Sequence, residues 1–390
     1  MTIFKHTSFV LILSPLALAT ASCGHAASGD SPPAPAASEA PFTVTEETSY
    51  DEPWAIAVEP GTGRIFVTEK GGTIRNYQPA SGVEGIVSGA PKVDYGGQGG
   101  LGDIAFAPDY ETSRMIYLSW AEAGPGNTRG AAVGRGTLSC GGENDEVCRI
   151  EGLTVIWRQS PKVSGRGHYS HRIAFSPDGQ YLFIASGERQ KMDPAQDLSG
   201  NLGKVVRLNL DGTPAAGNPM AEQGGIAAQI WSWGHRNILG LAFDAEGKLW
   251  EVEHGPRGGD ELNLVKPGSN YGWPIVSNGV HYNGDPIPDH ETRPEFTPPA
   301  ISWTPVIAPG DMAFYNADLF PEWQGDLLIA GLGSSALVRV EFDGETAREA
   351  ARYNMDARIR DVAVGIEGTI FVIEDGEGGR LLQLYPAVSE

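Results

Sequence analysis

Six stretches of this chain repeat one pattern, and no other feature limits its fold so tightly. PWAIAVEPGTGRIFVTEKGGTIRNY begins at Pro53, GLGDIAFAPDYETSRMIYLSWAE at Gly100 and SHRIAFSPDGQYLFIASGE at Ser170. ILGLAFDAEGKLWEVEHGPRGGDELNLV begins at Ile238, GDMAFYNADLFPEWQGDLLIAGLGSSALVRVEF at Gly310 and IRDVAVGIEGTIFVIEDGEGGRLLQLY at Ile359. Each has a short apolar run, a turn built from Pro, Asp and Gly, and a second run rich in β-branched and aromatic residues. Those are the signals of a β-hairpin. Several copies continue into a third alternating segment. One such sheet cannot bury both of its faces alone, so repeated copies stack around an axis. The expected fold is all-β, a six-bladed β-propeller of four-stranded antiparallel sheets, formed as a single domain over residues 42–386. The 52 glycines and 28 prolines suit many turns and few long helices. A β-sandwich does not call for six similar hairpins, and no linker-like run after Ala40 argues for two domains. The ring must close, and LLQLYP near the C-terminus is expected to pair with FTVTEE just after Pro41. Repeat spacing is uneven, so long loops are expected between Trp120 and Gly167, from Asp193 to Ile230 and from Gly272 to Pro309. Function concentrates on such loops when the scaffold is rigid.

The N-terminus reads as a processing segment. Lys5 and His6 precede FVLILSPLALATAS, an apolar run too short and too interrupted for a membrane span. Residues 1–22 are read as a signal peptide and residues 23–41, rich in Ala, Ser and Pro, as a flexible tether. The arrangement resembles a bacterial lipoprotein signal, which makes Cys23 the lipidation site and a candidate lipid anchor, although Thr20 stands where such signals usually carry Leu. The expected location is exported: periplasmic or anchored to the outer membrane. Export permits disulfides, and Cys140 and Cys148 lie in the glycine-rich segment LSCGGENDEVCRI. A short disulfide is the favoured reading. A metal or redox pair is the alternative, but no further ligand-type cluster lies nearby and the spacing is wider than CxxC. The formal net charge of −21 repels nucleic acid and anionic membrane surfaces, so neither is an expected partner. A monomer or a homodimer fits equally.

Four constellations carry chemistry. In GHYSHRIAF, His168 lies just before an inner strand, where a loop meets the central channel, and an imidazole there can take a proton near neutral pH. His171 is the weaker candidate, and taken alone His168 reads as structural sooner than catalytic. GHRN occupies the same place in the next full repeat. Arg236 offers a rigid fork of donors for carboxylate or quinone oxygens, and Asn237 can donate and accept. A buried arginine satisfied by carbonyls is the bland alternative. EHGPRGGDELNLVKPGSNYGWP gathers Gly, Pro and acidic residues in turns that expose carbonyls to a hard cation such as Ca²⁺. Gly255 and Pro256 could offer main-chain oxygens, Asp260 and Glu261 could be ligands or supports, and Tyr271 and Trp273 could wall a pocket. The spacing is not that of an EF-hand. A hairpin turn without metal is equally consistent with it. In ARIRDVAVG, Arg358 and Arg360 alternate and so face one side of a strand. Two cations there repel unless an anionic ligand or carboxylates answer them.

Taken in order, GQGGLGDIAF, GHYSHRIAF, WSWGHRN, EHGPRGGDELN, NYGWP and RIRDV resemble the soluble pyrroloquinoline quinone (PQQ)-dependent glucose/sorbosone dehydrogenase family, and within it the periplasmic aldose sugar dehydrogenases. The resemblance covers about residues 42 to 386. It implies a six-bladed propeller with PQQ and Ca²⁺ at one end of the channel. Carried over, it makes His168 the catalytic base, with Gln98 beside it, and sets Arg236 and Asn237 against the quinone. The carbonyls of Gly255 and Pro256 become metal ligands, and Arg358 and Arg360 meet the PQQ carboxylates. Trp303 falls in a loop that walls the cofactor in relatives. The chain departs from the family's glucose enzymes at Gly167, where they carry an acidic residue, and at Gly333, where they carry a lysine. The implied reaction oxidises the C1 hydroxyl of aldose sugars to a lactone by hydride transfer to Ca-bound PQQ, with an unidentified electron acceptor downstream. The alternative is a non-catalytic six-bladed propeller that binds a ligand or protein. It predicts loss of the base or the arginines, and all of them are present. A lactonase-like hydrolase would need side-chain metal ligands from several blades, and these are not evident.

Overall fold

The computed structural model describes residues 38–142 and 146–387. The signal peptide read over 1–22, Cys23 and the tether up to residue 37 lie outside the described residues. Among these residues no helix is long and apolar enough to cross a membrane.

The repeats become sheets in chain order. The first two repeats supply β2 (Pro53–Val58), β3 (Ile65–Glu69), β4 (Thr73–Gln78) and β5 (Val83–Ser88), then β6 (Leu101–Phe106), β7 (Met115–Ala123), β8 (Arg129–Gly141) and β9 (Val147–Arg158). The next sheets are β10 (Ser170–Phe175), β11 (Tyr181–Ser186), β12 (Lys204–Asn209) and β13 (Ile230–Trp233), followed by β14 (Ile238–Phe243), β15 (Leu249–Glu253), β16 (Asp260–Leu264) and β17 (Ile301–Trp303). After them come β18 (Pro309–Phe314), β19 (Leu327–Gly331), β20 (Ala336–Asp343) and β21 (Thr346–Asn354). The last sheet holds β22 (Ile359–Val364), β23 (Ile370–Glu374) and β24 (Glu377–Pro386), and takes its outer strand, β1 (Phe42–Asp51), from the other end of the domain. The expected closure is present: Phe42 pairs with Pro386 and Val44 with Leu384.

The architecture is a propeller-like arrangement of mostly four-stranded antiparallel sheets around an axis. One sheet departs from the expected four strands. The edge strands β5 and β9 run parallel and pair at Val87–Cys148 and Ser88–Arg149, joining two sheets into one of eight strands. Gly85 and Gly89 permit the approach, since a Cβ at either would collide with the backbone of Glu146 or Ile150. The segment expected as a loop between Trp120 and Gly167 is mainly the long β8–β9 hairpin, and Cys140 and Cys148 face each other across it in a disulfide.

The first strands of the repeats, β2, β6, β10, β14, β18 and β22, pack each against the next, and β22 returns to β2. An apolar seam fills every junction. Trp250 and Val252 meet Met312 and Ile329 at one, and Leu337 and Tyr353 meet Ile359 and Val372 at the next. Alternation along each strand gives a sheet two apolar faces for its two neighbours. Near the axis the packing is polar. Arg172 of β10 reaches Asp361 at 3.0 Å, Asp103 at 3.4 Å and Asp311 at 3.4 Å, all from other sheets, and its guanidinium lies 4.1 Å over Trp54. Burial raises the Asp103 carboxyl to about 6 despite that arginine. Trp54, against which this arginine packs, also lines a cleft at one end of the strands.

Candidate active site

The cleft opens where the ends of first strands and their preceding loops converge. Its cavity volume is about 180 Å³, and it is partly open to solvent. Gln98, Asn237, His254, Arg358, Arg360 and Lys70 contribute its polar lining. That polarity suits a polar ligand.

His168 is buried just before β10, and its backbone N–H donates to Gln98 Oε1 at 2.6 Å. Its ring Nδ1 makes a short contact with Glu188 Oε1. Glu188, also buried, follows β11 of the same sheet, and its other oxygen accepts the amides of Lys191 (2.5 Å) and Met192 (2.6 Å). An imidazole tied through Nδ1 to a fixed carboxylate presents Nε2 as the proton acceptor. Burial lowers the proton affinity of His168 first. Glu188 opposes this and Arg236 adds to it, so the ring stays below its ordinary value of 6.5 and is neutral near pH 7. Burial alone would raise the Glu188 carboxyl, but His168 and the Met192 amide outweigh it and hold it low. His168, Ser170 and His171 all have positive φ, as do Arg189, Gln190 and Met192 across the contact. Each such non-glycine residue costs on the order of 1–3 kcal/mol, and strain of this kind collects at functional sites. The space an acidic side chain at position 167 would need is filled by the Gln190 carboxamide.

Arg236 and Asn237 precede β14. Glu253, at the end of β15, accepts both of their amides, at 2.6 and 3.1 Å. The Arg236 guanidinium donates to the His254 carbonyl at 3.0 Å and to Tyr282 Oη at 3.2 Å, and lies 5.1 Å over Trp273. His254 sits among the charges: burial first, then Arg236, His168 and Arg360, drive its ring down to about 3, although the Pro309 carbonyl accepts its Nε2–H at 2.6 Å. Arg358, just before β22, and Arg360, within it, both line the cleft, and Asp375 answers both. It accepts from Arg358 Nε at 2.9 Å and from Arg360 Nε at 2.9 Å. Two guanidiniums against one carboxylate leave a net positive charge in the cleft of a strongly acidic chain.

The loop after β15 turns inward at Gly255 and Pro256, both buried. Asp260 is the clamp of this loop: it accepts the Gly255 amide at 2.8 Å and the Ala308 amide at 2.6 Å. Among the described residues no protein donor satisfies the carbonyls of Gly255 or Pro256, so two hard oxygens remain for a cation. Glu261 lies 3.3 Å from His290 with one oxygen and accepts from Asn263 Nδ2 at 3.3 Å with the other. Trp303 belongs to the core: it is buried in β17 and its indole N–H donates to Glu349 at 2.7 Å. It does not line the cleft. Tyr271 stacks on His235, and Trp273 lies beneath Arg236. Position 333 supplies no lysine, but Lys70 reaches the cleft from another sheet, paired with Glu52 at 2.9 Å.

The sequence reading missed Glu188. Its signal was positional. A glutamate at or just past the end of the second strand recurs as Glu69, Glu253 and Glu374, and each accepts a backbone amide: Asp51, Arg236 and Arg380 in turn. Glu188 is the member of this series that pairs with the histidine beside the cleft.

Comparison with known proteins adds the family. The profile of the Glucose / Sorbosone dehydrogenase family matches residues 50–383. The chain belongs to the glucose/sorbosone dehydrogenase family. It is an enzyme, an oxidoreductase of that family. Aldose sugar dehydrogenase YliI of Escherichia coli is 40% identical over 357 residues, covering 89% of this chain and 94% of the relative. The crystal structure of the soluble aldose sugar dehydrogenase of E. coli in its apo-form superposes with a TM-score of 0.82 at 38% identity, over 89% of this chain and 100% of that one. The PQQ-bound aldose sugar dehydrogenase of Streptomyces coelicolor superposes with a TM-score of 0.72 at 28% identity, over 90% and 99%.

Proposed function

We propose that this chain oxidises the C1 hydroxyl of aldose sugars to lactones, with PQQ as hydride acceptor, Ca²⁺ as its metal and His168 as general base. We take the propeller as six-bladed, counting the eight-stranded sheet as two blades joined at their edges, and the catalytic domain as residues 42–386. The observation that carries the reading is the buried His168–Glu188 pair beside a cleft lined by Gln98, Asn237, Arg358 and Arg360.

The residues fit the cofactor. Arg358, Arg360 and Lys70 suit the acid groups of PQQ, and the carbonyls of Gly255 and Pro256 suit a hard cation. Arg236 and Asn237 would stand against quinone oxygens. When bound, the quinone with its calcium ion supplies a two-electron acceptor, chemistry that no side chain offers. His168 Nε2 takes the proton of the anomeric hydroxyl, and Glu188 holds the ring in the tautomer that can do so and stabilises the imidazolium. Gln98 fixes the backbone of His168, so the base cannot swing from the cleft. Export is part of this reading: the apolar N-terminal run and the disulfide both suit a periplasmic enzyme, and Cys23 is its proposed lipidation site.

The test is reconstitution. Purified protein is loaded with PQQ and Ca²⁺, and dye reduction is followed across several aldoses. PQQ-dependent turnover is expected, with loss of at least about 10²-fold in His168→Ala. No reduction with any aldose favours a binding propeller, and full activity in the variant removes His168 as base.

A further inference from the structure

The face of β15 that carries Leu249, Glu251 and Glu253 looks toward the sheet of β10–β13, as Leu249 shows by packing with Phe183 and Val205. Alternate acids on a strand normally mark a wet face. Here both are buried. In register beside them on β16 stand Asn263, opposite Glu251, and Glu261, opposite Glu253. His235 enters from the turn after β13, fully buried and stacked on Tyr271 with ring centres 4.6 Å apart. Its Nδ1 lies 3.4 Å from Glu251 Oε1 and 3.9 Å from Glu253 Oε1. The ligand-type atoms of these three side chains fall within 4.8 Å of one another.

Partners are missing where the cluster most needs them. Among the described residues His235 Nδ1, Glu251 Oε2 and Asn263 Oδ1 have no hydrogen-bond partner. Native interiors rarely leave such atoms bare, and several in one place point to an unseen ion or solvent. The nearby Lys204 does not answer them, because its ammonium is committed to the carbonyls of Pro194, Ala195 and Leu202 at 2.8, 3.0 and 2.6 Å. Arg236 acts on Glu253 but donates its own N–H groups to His254 and Tyr282. Meanwhile the supports of a metal site are in place. Ser232 Oγ lies 2.8 Å from His235 Nε2, and a proton on Nε2 shared with it leaves the Nδ1 lone pair facing the carboxylates. Asn263 Nδ2 donates to Glu251 Oε1 at 2.8 Å and turns Oε2 of that carboxylate free. Outer contacts of this kind orient metal ligands.

We propose that His235, Glu251 and Glu253 form a second metal site, separate from the cleft, for a divalent first-row transition ion such as Zn²⁺. One imidazole nitrogen with two carboxylates matches that class of ion, whereas Ca²⁺ takes oxygen donors and more of them. Glu261 stands at the edge of this group and outside the three: one oxygen lies 3.3 Å from His290 Nε2 and the other accepts from Asn263 Nδ2 at 3.3 Å. The site has a consequence for the cleft. His235 adjoins Arg236, and Glu253 holds the amides of Arg236 and Asn237. An ion here ties the loop carrying those side chains to β15.

The test needs neither quinone nor sugar. Chelator-stripped protein is titrated with Zn²⁺ against a chromophoric chelator, metal content is measured after gel filtration, and melting is followed with Zn²⁺ or Ca²⁺ added. One retained Zn²⁺ per chain and a higher melting temperature with Zn²⁺, not reproduced by Ca²⁺, are expected. The isosteric Glu251→Gln should weaken Zn²⁺ binding by about 100-fold or more. Failure of the wild-type protein to retain Zn²⁺ overturns the proposal, and so does equal retention by Glu251→Gln. Should that variant not fold, anomalous scattering at the zinc edge from wild-type crystals decides: a peak between His235 and Glu251 supports the site, and a peak elsewhere sinks it.

Discussion

Replacing Glu188 by Gln changes one oxygen to an amide nitrogen and keeps the shape. Glu188 accepts from three donors, His168 Nδ1 and the amides of Lys191 and Met192. Glutamine has a single oxygen, and the two backbone amides cannot turn away. Its oxygen is therefore drawn to Lys191 and Met192, and its NH₂ group faces the imidazole. That NH₂ donates to Nδ1 and drives the ring proton to Nε2, the atom that must be bare to accept the proton of the sugar. Loss of the carboxylate also removes the group that raises the proton affinity of His168 against burial and Arg236. In serine proteases the comparable Asp-to-Asn change costs about 10⁴-fold in turnover, so kcat here should fall by about 10³- to 10⁴-fold, or roughly 4–5.5 kcal/mol of barrier. The assay is steady-state dye reduction with saturating PQQ and Ca²⁺ across pH, alongside a PQQ titration and a melt. PQQ affinity should stay close to wild type, because Glu188 does not line the cleft. A kcat within about tenfold of wild type, in a folded and loaded variant, would refute the orienting role.

Further outcomes follow from the same geometry. Arg360→Met should weaken PQQ binding by about 10- to 100-fold, since it removes a charge-assisted contact and frees Asp375 to repel the cofactor; fluorescence titration with PQQ measures it. The low-pH limb of kcat/KM should lie below 6.5, because burial and Arg236 depress His168, and a limb above 6.5 contradicts that environment. Burial pushes His171 down to about 3, so the unfolded chain binds its proton first and stability, intact above 6.5, is lost as pH falls toward 3, by up to about 1.4 kcal/mol per pH unit. His171→Asn should flatten that slope in urea titrations run across this range. Replacing Cys140 and Cys148 together by Ser should cost about 2.5 kcal/mol by the loop-entropy argument for their separation of 8 residues. Denaturant melts read this loss, and turnover should be unaffected.

The sequence by itself determined the class of fold and the chemistry on offer. The repeated hairpin reflects a local rule, alternation broken by Gly, Pro and Asp, and needs no distant partner to be read. It foretold sheets in chain order and the pairing of Phe42 with the C-terminal strand. The ordered motifs likewise marked His168, Gln98, Asn237, Arg358 and Arg360 before any distance was known. Tertiary structure decided the rest, because it depends on which sheet edges and faces meet. Two edge strands pair in parallel over Gly85 and Gly89, a contact between segments some 60 residues apart. Glu188 acquires its role only when the strand end of its own sheet brings it to His168. Trp303, in an apparently favourable loop, went to the core because β17 pairs with β16 and turns its indole toward Glu349. The acids of LWEVE alternate like surface residues, yet the neighbouring sheet covers them. No local pattern records that cover, since burial is a property of the assembled ring and the strand pattern would be the same on an open face.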